Sequence, residues 1–111
     1  NLDFQRHETG LYYQIIAPGS GELVYNANTR ITVKYTGRFL NGEIFDQGNL
    51  SSIALGDRLI SGWQIGVPLI QKGGKIRILI PSVYGYGPSA AGPIPPNSVL
   101  DFDIELIDAQ N

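Results

Sequence analysis

From Leu100 to Leu106 the chain alternates without a break: Leu100, Phe102, Ile104 and Leu106 are apolar, and Asp101, Asp103 and Glu105 between them are acidic. An extended strand points successive side chains to opposite faces, so this segment has one buried side and one wet side. An antiparallel sheet covered on one face requires such a strand. It is expected over Val99–Ile107, with its three carboxylates as solvated surface rather than a metal site.

The rest of the chain adds more β structure and little helix. Leu11–Ile16 is rich in aromatic and β-branched residues and stops at the turn formers Pro18-Gly19-Ser20-Gly21. Arg30–Leu40 alternates, with Ile31, Val33 and Tyr35 on one face. Asn41-Gly42 after it signals a hairpin, because both positions tolerate positive φ. Ser52–Leu55 reads as a short strand, and Lys75–Ile80 as a strand with Ile76, Ile78 and Ile80 inward. Between these two, Ser61 is placed to cap a short helix starting near Gly62, with Trp63, Val67 and Ile70 at helical spacing. Pro68 lacks a backbone donor and ends the regular part near Gly66 or Val67. Residues 82–98 carry too much Gly and Pro for more than a helical turn near Val83, and a loop of that length in a small domain is functional or mobile. The sum is an α+β domain: one antiparallel sheet of about five strands folded over one short α-helix. Residues 1–9 read as a polar N-terminal tail or linker, and residues 10–111 as a single domain.

Composition narrows the function classes. With 42% hydrophobic and 16% charged residues, the 111-residue chain builds a core. A net charge of −2, with only Lys72, Lys75 and Arg77 grouped, gives no basic face for nucleic acid. The absence of cysteine excludes disulfides, thiolate metal sites and cysteine nucleophiles. No apolar run approaches the roughly 20 residues of a membrane helix, and no signal peptide is expected within these residues. The chain opens at Asn1 without an initiator Met, which is expected of a processed or trimmed piece.

Catalytic motifs that need a nucleophile or a metal fail. His7 is the one histidine and lies in the polar tail, so no hydroxyl has an imidazole base. Gly85-Tyr86-Gly87 lacks the third glycine and the following helix of a dinucleotide fingerprint. What remains is a set of rings, Tyr35, Phe45, Trp63, Tyr86 and Phe102, any one of which alone would pass for core. With one acid and one phenol, they suit a reaction that needs no nucleophile, such as rotation about an X-Pro bond.

The order and spacing of the motifs carry a resemblance over about Gly10 to Asp108. They are Val33-x-Tyr35-Thr36-Gly37, Asn41-Gly42-x-x-Phe45-Asp46, Leu55-Gly56, Ile60-x-Gly62-Trp63-x-x-Gly66 and Gly73-Gly74-Lys75, followed by Ile80-Pro81, Tyr84-Gly85-Tyr86-Gly87, Ile94-Pro95-Pro96-Asn97 and Leu100-x-Phe102-x-Ile104-x-Leu106. In these the chain resembles the FK506-binding-protein (FKBP-type) family of peptidyl-prolyl cis-trans isomerases, in its bacterial form. The resemblance implies a twisted antiparallel sheet wrapped around a short helix. It implies Trp63 as the floor of a pocket walled by Tyr35, Phe45 and Phe102, with Leu59 and Ile60 at the rim and Ile94 closing the far side. The Ile60 backbone N–H would bond a substrate carbonyl, Tyr86 would offer its hydroxyl, and Asp46 would be the lone carboxylate. Departures fall on the rim. Ser51 or Ser52 stands where relatives have an aromatic residue, and the Gln47–Leu50 segment is short. Gly56–Ile60 is one residue tighter, Ile70 replaces a frequent Met, and Ser89-Ala90-Ala91-Gly92 lacks an aromatic or His.

The family's activity implies isomerisation of X-Pro bonds in proteins, assisting folding, with no covalent step, metal or cofactor. Implied partners are proline-containing polypeptides and FK506- or rapamycin-type macrolides, and the chain is expected to be a monomer. The competing expectation is a non-catalytic chaperone or peptide-binding module on the same fold. A β domain for carbohydrate or nucleic acid rests only on exposed tyrosines. The expected compartment is the bacterial periplasm or cell envelope rather than the cytoplasm, by a narrow margin.

Overall fold

A computed structural model describes residues 4–57, 59–88 and 92–111. Among them, six strands form one antiparallel sheet: β1 (Gln5–Arg6), β2 (Tyr12–Ala17), β3 (Arg30–Phe39), β4 (Ile44–Ala54), β5 (Lys75–Ile80) and β6 (Leu100–Gln110). Their order in space is β1-β2-β5-β6-β3-β4, so the two most regular alternating strands, β5 and β6, lie at the centre. The helix α1 (Ser61–Gly66) runs into a 3-10 turn at Val67–Leu69, and a second 3-10 turn, Ser82–Tyr84, follows β5.

The core lies between α1 and one face of the sheet. Ile31 and Val33 of β3, Ile76, Ile78 and Ile80 of β5, and Leu100, Phe102, Ile104 and Leu106 of β6 are all buried there. Two glycines let the helix come close. A Cβ on Gly62 would stand 2.6 Å from Ile80 Cδ1, and one on Gly66 3.0 Å from Ile78 Cγ2. With the helix backbone pressed onto β5, the Trp63 indole lies against Tyr35 of β3 and Phe102 of β6 and the residue is only 4% exposed.

Several sequence expectations change in detail. The sheet has a sixth strand because Gln5–Arg6, within the expected tail, pairs with Tyr12 and Tyr13. Ser61 is the first helical residue and not the cap; Ile60, in extended conformation, holds the cap position without a side-chain bond. The short strand expected at Ser52–Leu55 is, as far as Ala54, the end of an eleven-residue β4, and Leu55 falls in the turn after it. The three carboxylates of β6 are not equally solvated. Asp101 is 6% exposed and takes a bidentate contact from Arg77 (3.0 and 2.7 Å), while Asp103 pairs with Arg38. Facing strands supply those arginines, which lets a carboxylate leave water with its charge matched.

Candidate active site

Two irregularities in the β3–β4 pairing build one wall of a cleft above Trp63. Ile31 pairs with Ile53 but Val33 pairs with Leu50, so Ser51 and Ser52 together oppose Thr32. Ser52 takes a φ of 50° and donates its N–H to Thr32 Oγ1 at 3.0 Å. This extra residue is a β-bulge, and it turns Leu50 to the same face as Ile53, three positions away. Nearer the hairpin, Gly37 pairs with Asp46 but Arg38 pairs with Ile44, so Phe45 is the extra residue. The bulge lets the neighbours Phe45 and Asp46 both turn toward the side on which Tyr35 and Phe102 lie.

The resulting cleft is lined by Tyr35, Asp46, Leu50, Leu59, Ile60, Trp63, Tyr86 and Phe102, with a cavity volume of about 110 Å3. Its base is a set of rings at steep angles. Tyr35 meets Trp63 at 5.2 Å between centroids and 75°, and Trp63 meets Phe102 at 5.4 Å and 86°. Edge-to-face pairs of this kind hold one another's orientation. Behind them Phe102 packs on Phe45 at 5.6 Å, and Phe45 on Phe39 at 4.9 Å. Gly37 makes this possible: a Cβ there would stand 2.7 Å from Phe102 and 2.8 Å from Phe45. The Trp63 Nε1 donor has no partner among the described residues.

Few polar groups reach the cleft. The Tyr35 hydroxyl donates to Asp46 Oδ2 at 2.9 Å, and Asp46 is the only charged residue in the lining among the described residues. The Tyr35 phenol is pushed above its ordinary range by burial first, then by its bond to Asp46, the Asp46 charge and Tyr86. Tyr86 is raised in the same direction by burial and by the Asp46 charge. Both phenols therefore stay protonated as hydrogen-bond donors. Tyr86 is 41% exposed, yet its backbone is pinned, because the N–H groups of Gly85 and Gly87 both donate to the Ser82 carbonyl (3.0 and 2.8 Å). The Ile60 N–H has no hydrogen-bond partner among the described residues.

The sequence-derived residues divide accordingly. Tyr35, Asp46, Leu59, Ile60, Trp63, Tyr86 and Phe102 come together around the cleft. Phe45 stands behind Phe102 and supports the wall without lining it. Ile94, expected to close the far side, is 5% exposed within the core and does not line the cleft. Leu50 lines it although sequence reasoning passed it over. The missing aromatic was sought at Ser51 or Ser52, whereas the bulge delivers the preceding residue. Ser89, Ala90 and Ala91 of the late loop lie outside the described residues.

A larger open groove of about 400 Å3 lies on the opposite face of the sheet, bordered by Ile16, Lys34, Thr36, Lys75, Asp103 and Glu105. It carries lysines and carboxylates, whereas the smaller cleft is lined mainly by rings and aliphatic side chains. Among the described residues no cluster of His, Asp or Glu is grouped to hold a metal ion, and no helix is long and apolar enough to cross a membrane.

Comparison with known proteins identifies the family and the fold. The family model described as FKBP-type peptidyl-prolyl cis-trans isomerase matches residues 22–107. The chain is 45% identical over 107 residues to the FKBP-type peptidyl-prolyl cis-trans isomerase FkpA of Buchnera aphidicola subsp. Schizaphis graminum, covering 93% of this chain and 42% of that protein. It is 40% identical over 98 residues to FK506-binding protein 1 of Saccharomyces cerevisiae, covering 83% of this chain and 86% of that protein. The crystal structure of FkpA from Escherichia coli superposes with a TM-score of 0.89 at 38% identity, over 96% of this chain and 51% of that one. The chain thus spans about half the length of these longer bacterial relatives.

Proposed function

This chain belongs to the family of FKBP-type peptidyl-prolyl cis-trans isomerases, and we propose that the ring-lined cleft over Trp63 is where it catalyses rotation about X-Pro bonds of polypeptides. Residues 10–111 act as the isomerase domain, and β1 extends its sheet at one edge. The described lining of the cleft comes from one chain, which supports a domain that works as a monomer. The observation that carries this reading is a hollow walled by rings whose lining includes Tyr86 and Ile60, the backbone N–H of Ile60 having no partner among the described residues.

An X-Pro bond rotates slowly because the nitrogen lone pair is shared with the carbonyl, and uncatalysed exchange takes tens of seconds. Sharing is lost at the twisted midpoint, which leaves the carbonyl less polar and the nitrogen pyramidal. A less polar species gives up less on leaving water, so a ring-lined cleft favours the midpoint over the planar ground state. A millionfold acceleration corresponds to about 8 kcal/mol of such preference. Trp63 is the floor under the proline ring, with Tyr35 and Phe102 beside it, Phe45 bracing Phe102, and Leu50 and Leu59 at the mouth. Ile60 N–H and Tyr86 anchor substrate carbonyls, fixing one side of the bond while the other turns. Asp46 orients Tyr35, since the 2.9 Å bond already engages its carboxylate and a bare carboxylate beside a carbonyl oxygen would repel it. The reaction needs no covalent intermediate, metal or cofactor. The same hollow is proposed to take a macrolide of the FK506 or rapamycin type, with Ile94 supporting it from the core.

The test is the exchange rate of an X-Pro peptide with Trp63→Phe and Tyr86→Phe. Trp63→Phe keeps a ring but shrinks the floor and should lower kcat/KM about tenfold or more. Tyr86→Phe should lower it several-fold with the fold intact. Full activity in Tyr86→Phe removes the phenol from the mechanism. A wild-type domain that binds the peptide without speeding exchange is a holding module instead.

A further inference from the structure

We infer that Gln64 is a positioning residue for the isomerase reaction, setting the Leu59–Ile60 peptide so that its N–H is presented to the substrate carbonyl. The inference rests on Ile60 N–H being the anchoring donor. Gln64 Nε2 donates to the Leu59 carbonyl oxygen at 3.0 Å. A carbonyl only accepts, so the amide nitrogen of Gln64 must face it. The Leu59 carbonyl and the Ile60 N–H belong to one peptide unit, and no peptide bond among the described residues is cis. In a planar trans unit the two groups point in opposite directions. Fixing the oxygen outward onto Gln64 therefore aims the hydrogen the other way, and Leu59 and Ile60 both line the cleft.

The Gln64 bond acts where little else restrains this peptide. Ile60 is extended (φ −63°, ψ 152°) and its own carbonyl is tied into the helix by the Trp63 N–H at 3.0 Å. That contact orients the next peptide unit and leaves the Leu59–Ile60 unit to turn. Gln64 lies one turn into α1 and is exposed, whereas the buried residues of the helix are Gly62, Trp63 and Gly66. A donor on the oxygen also draws electron density from the nitrogen of the same unit. That strengthens the N–H as a donor, by about 10–30% in cooperative hydrogen-bond chains.

The decisive experiment uses Gln64→Glu, which keeps the side-chain shape. Its carboxylate at pH 7 cannot donate to Leu59 and repels it, whereas its neutral acid below about pH 4 can donate again. Expected at pH 7 is a loss of about tenfold in kcat/KM, mostly as a rise in KM because the anchor is made alike with planar and twisted substrate. The melting temperature should be unchanged and the Ile60 amide resonance shifted. The activity ratio of variant to wild type should climb toward one as pH falls to about 4, a recovery that a merely structural side chain would not show. Gln64→Ala, with no charge, should lose about threefold and show no recovery with pH. A pH 7 activity equal to wild type in both variants, or a ratio that ignores pH in Gln64→Glu, overturns the inference. Titrating the wild type with an X-Pro peptide separates the two layers. If the Ile60 amide does not respond to peptide, the anchoring donor itself is wrong. If it responds and the Gln64 variants change nothing, only the positioning role falls.

Discussion

The Tyr35 hydroxyl donates to Asp46 Oδ2 at 2.9 Å, so the one carboxylate among the described residues lining the cleft already has its charge engaged by a phenol. The bond joins neighbouring strands across the β4 bulge at Phe45 and ties the wall to the ring that packs on Trp63. If orientation is its purpose, Asp46→Asn, which keeps an acceptor, should retain kcat/KM within about threefold. Asp46→Ala should lose about tenfold. Equal losses in both variants would instead assign the charge itself to catalysis.

Both phenols titrate above the ordinary tyrosine value of about 10, Tyr35 and Tyr86 alike chiefly through burial and then through Asp46. A phenol whose value is raised on folding keeps its proton longer in the folded than in the unfolded chain. Its contribution to stability is therefore full below about pH 10 and is lost as pH rises beyond it. Activity should accordingly show no phenol ionisation between pH 7 and about 10, followed by loss at higher pH together with the phenolate absorbance. A fall in kcat/KM that tracks phenolate formation below pH 10 would contradict this.

Gly37→Ala should be costly at the site. Its Cβ would overlap Phe102 and Phe45, so about 1–3 kcal/mol of stability should be lost and the Phe102 ring displaced. Denaturant unfolding and kcat/KM should fall together. A neutral substitution would mean that the wall adapts freely and does not hold a fixed shape.

Asp101→Ala probes the far face of the sheet. It strips Arg77 of its bidentate partner, and because the guanidinium keeps some solvent the expected cost is about 2 kcal/mol. The cleft lies on the other face, so kcat/KM at a temperature well below melting should stay near wild type. Unfolding curves and kinetics on the same preparation check both halves of this expectation.

Legibility followed periodicity. Strands β5 and β6 were plain in the sequence because they sit mid-sheet with one face covered, where strict alternation is enforced. The short helix was legible from Trp63, Val67 and Ile70 at helical spacing, and the structure adds why Gly62 and Gly66 stand beside them: they let the helix backbone approach Ile80 and Ile78. What stayed hidden departs from periodicity. A serine at φ 50° carries no compositional mark, so the bulge at Ser51–Ser52 was invisible and Leu50 was assigned no role. Ile94 looked like a rim residue by its motif, but its burial depends on how a Gly- and Pro-rich loop folds back, which no local pattern encodes. The pairing of β1 with β2 is likewise tertiary: two exposed residues in a polar segment have no strand signal of their own.

Trp63→Ala should cost about 3–5 kcal/mol, because the indole fills the space between α1 and the sheet. The floor therefore cannot be judged by activity alone in that variant. The most direct test leaves the protein intact. Exchange spectroscopy on an X-Pro peptide, with the domain at a small fraction of the peptide concentration, measures rotation and binding in one sample. Exchange should quicken from the uncatalysed scale of tens of seconds to well under about a second, while the Trp63 indole and the Ile60 and Tyr86 amides shift with peptide. Shifts at those residues with exchange unchanged, or faster exchange with the cleft silent, would contradict catalysis at this site.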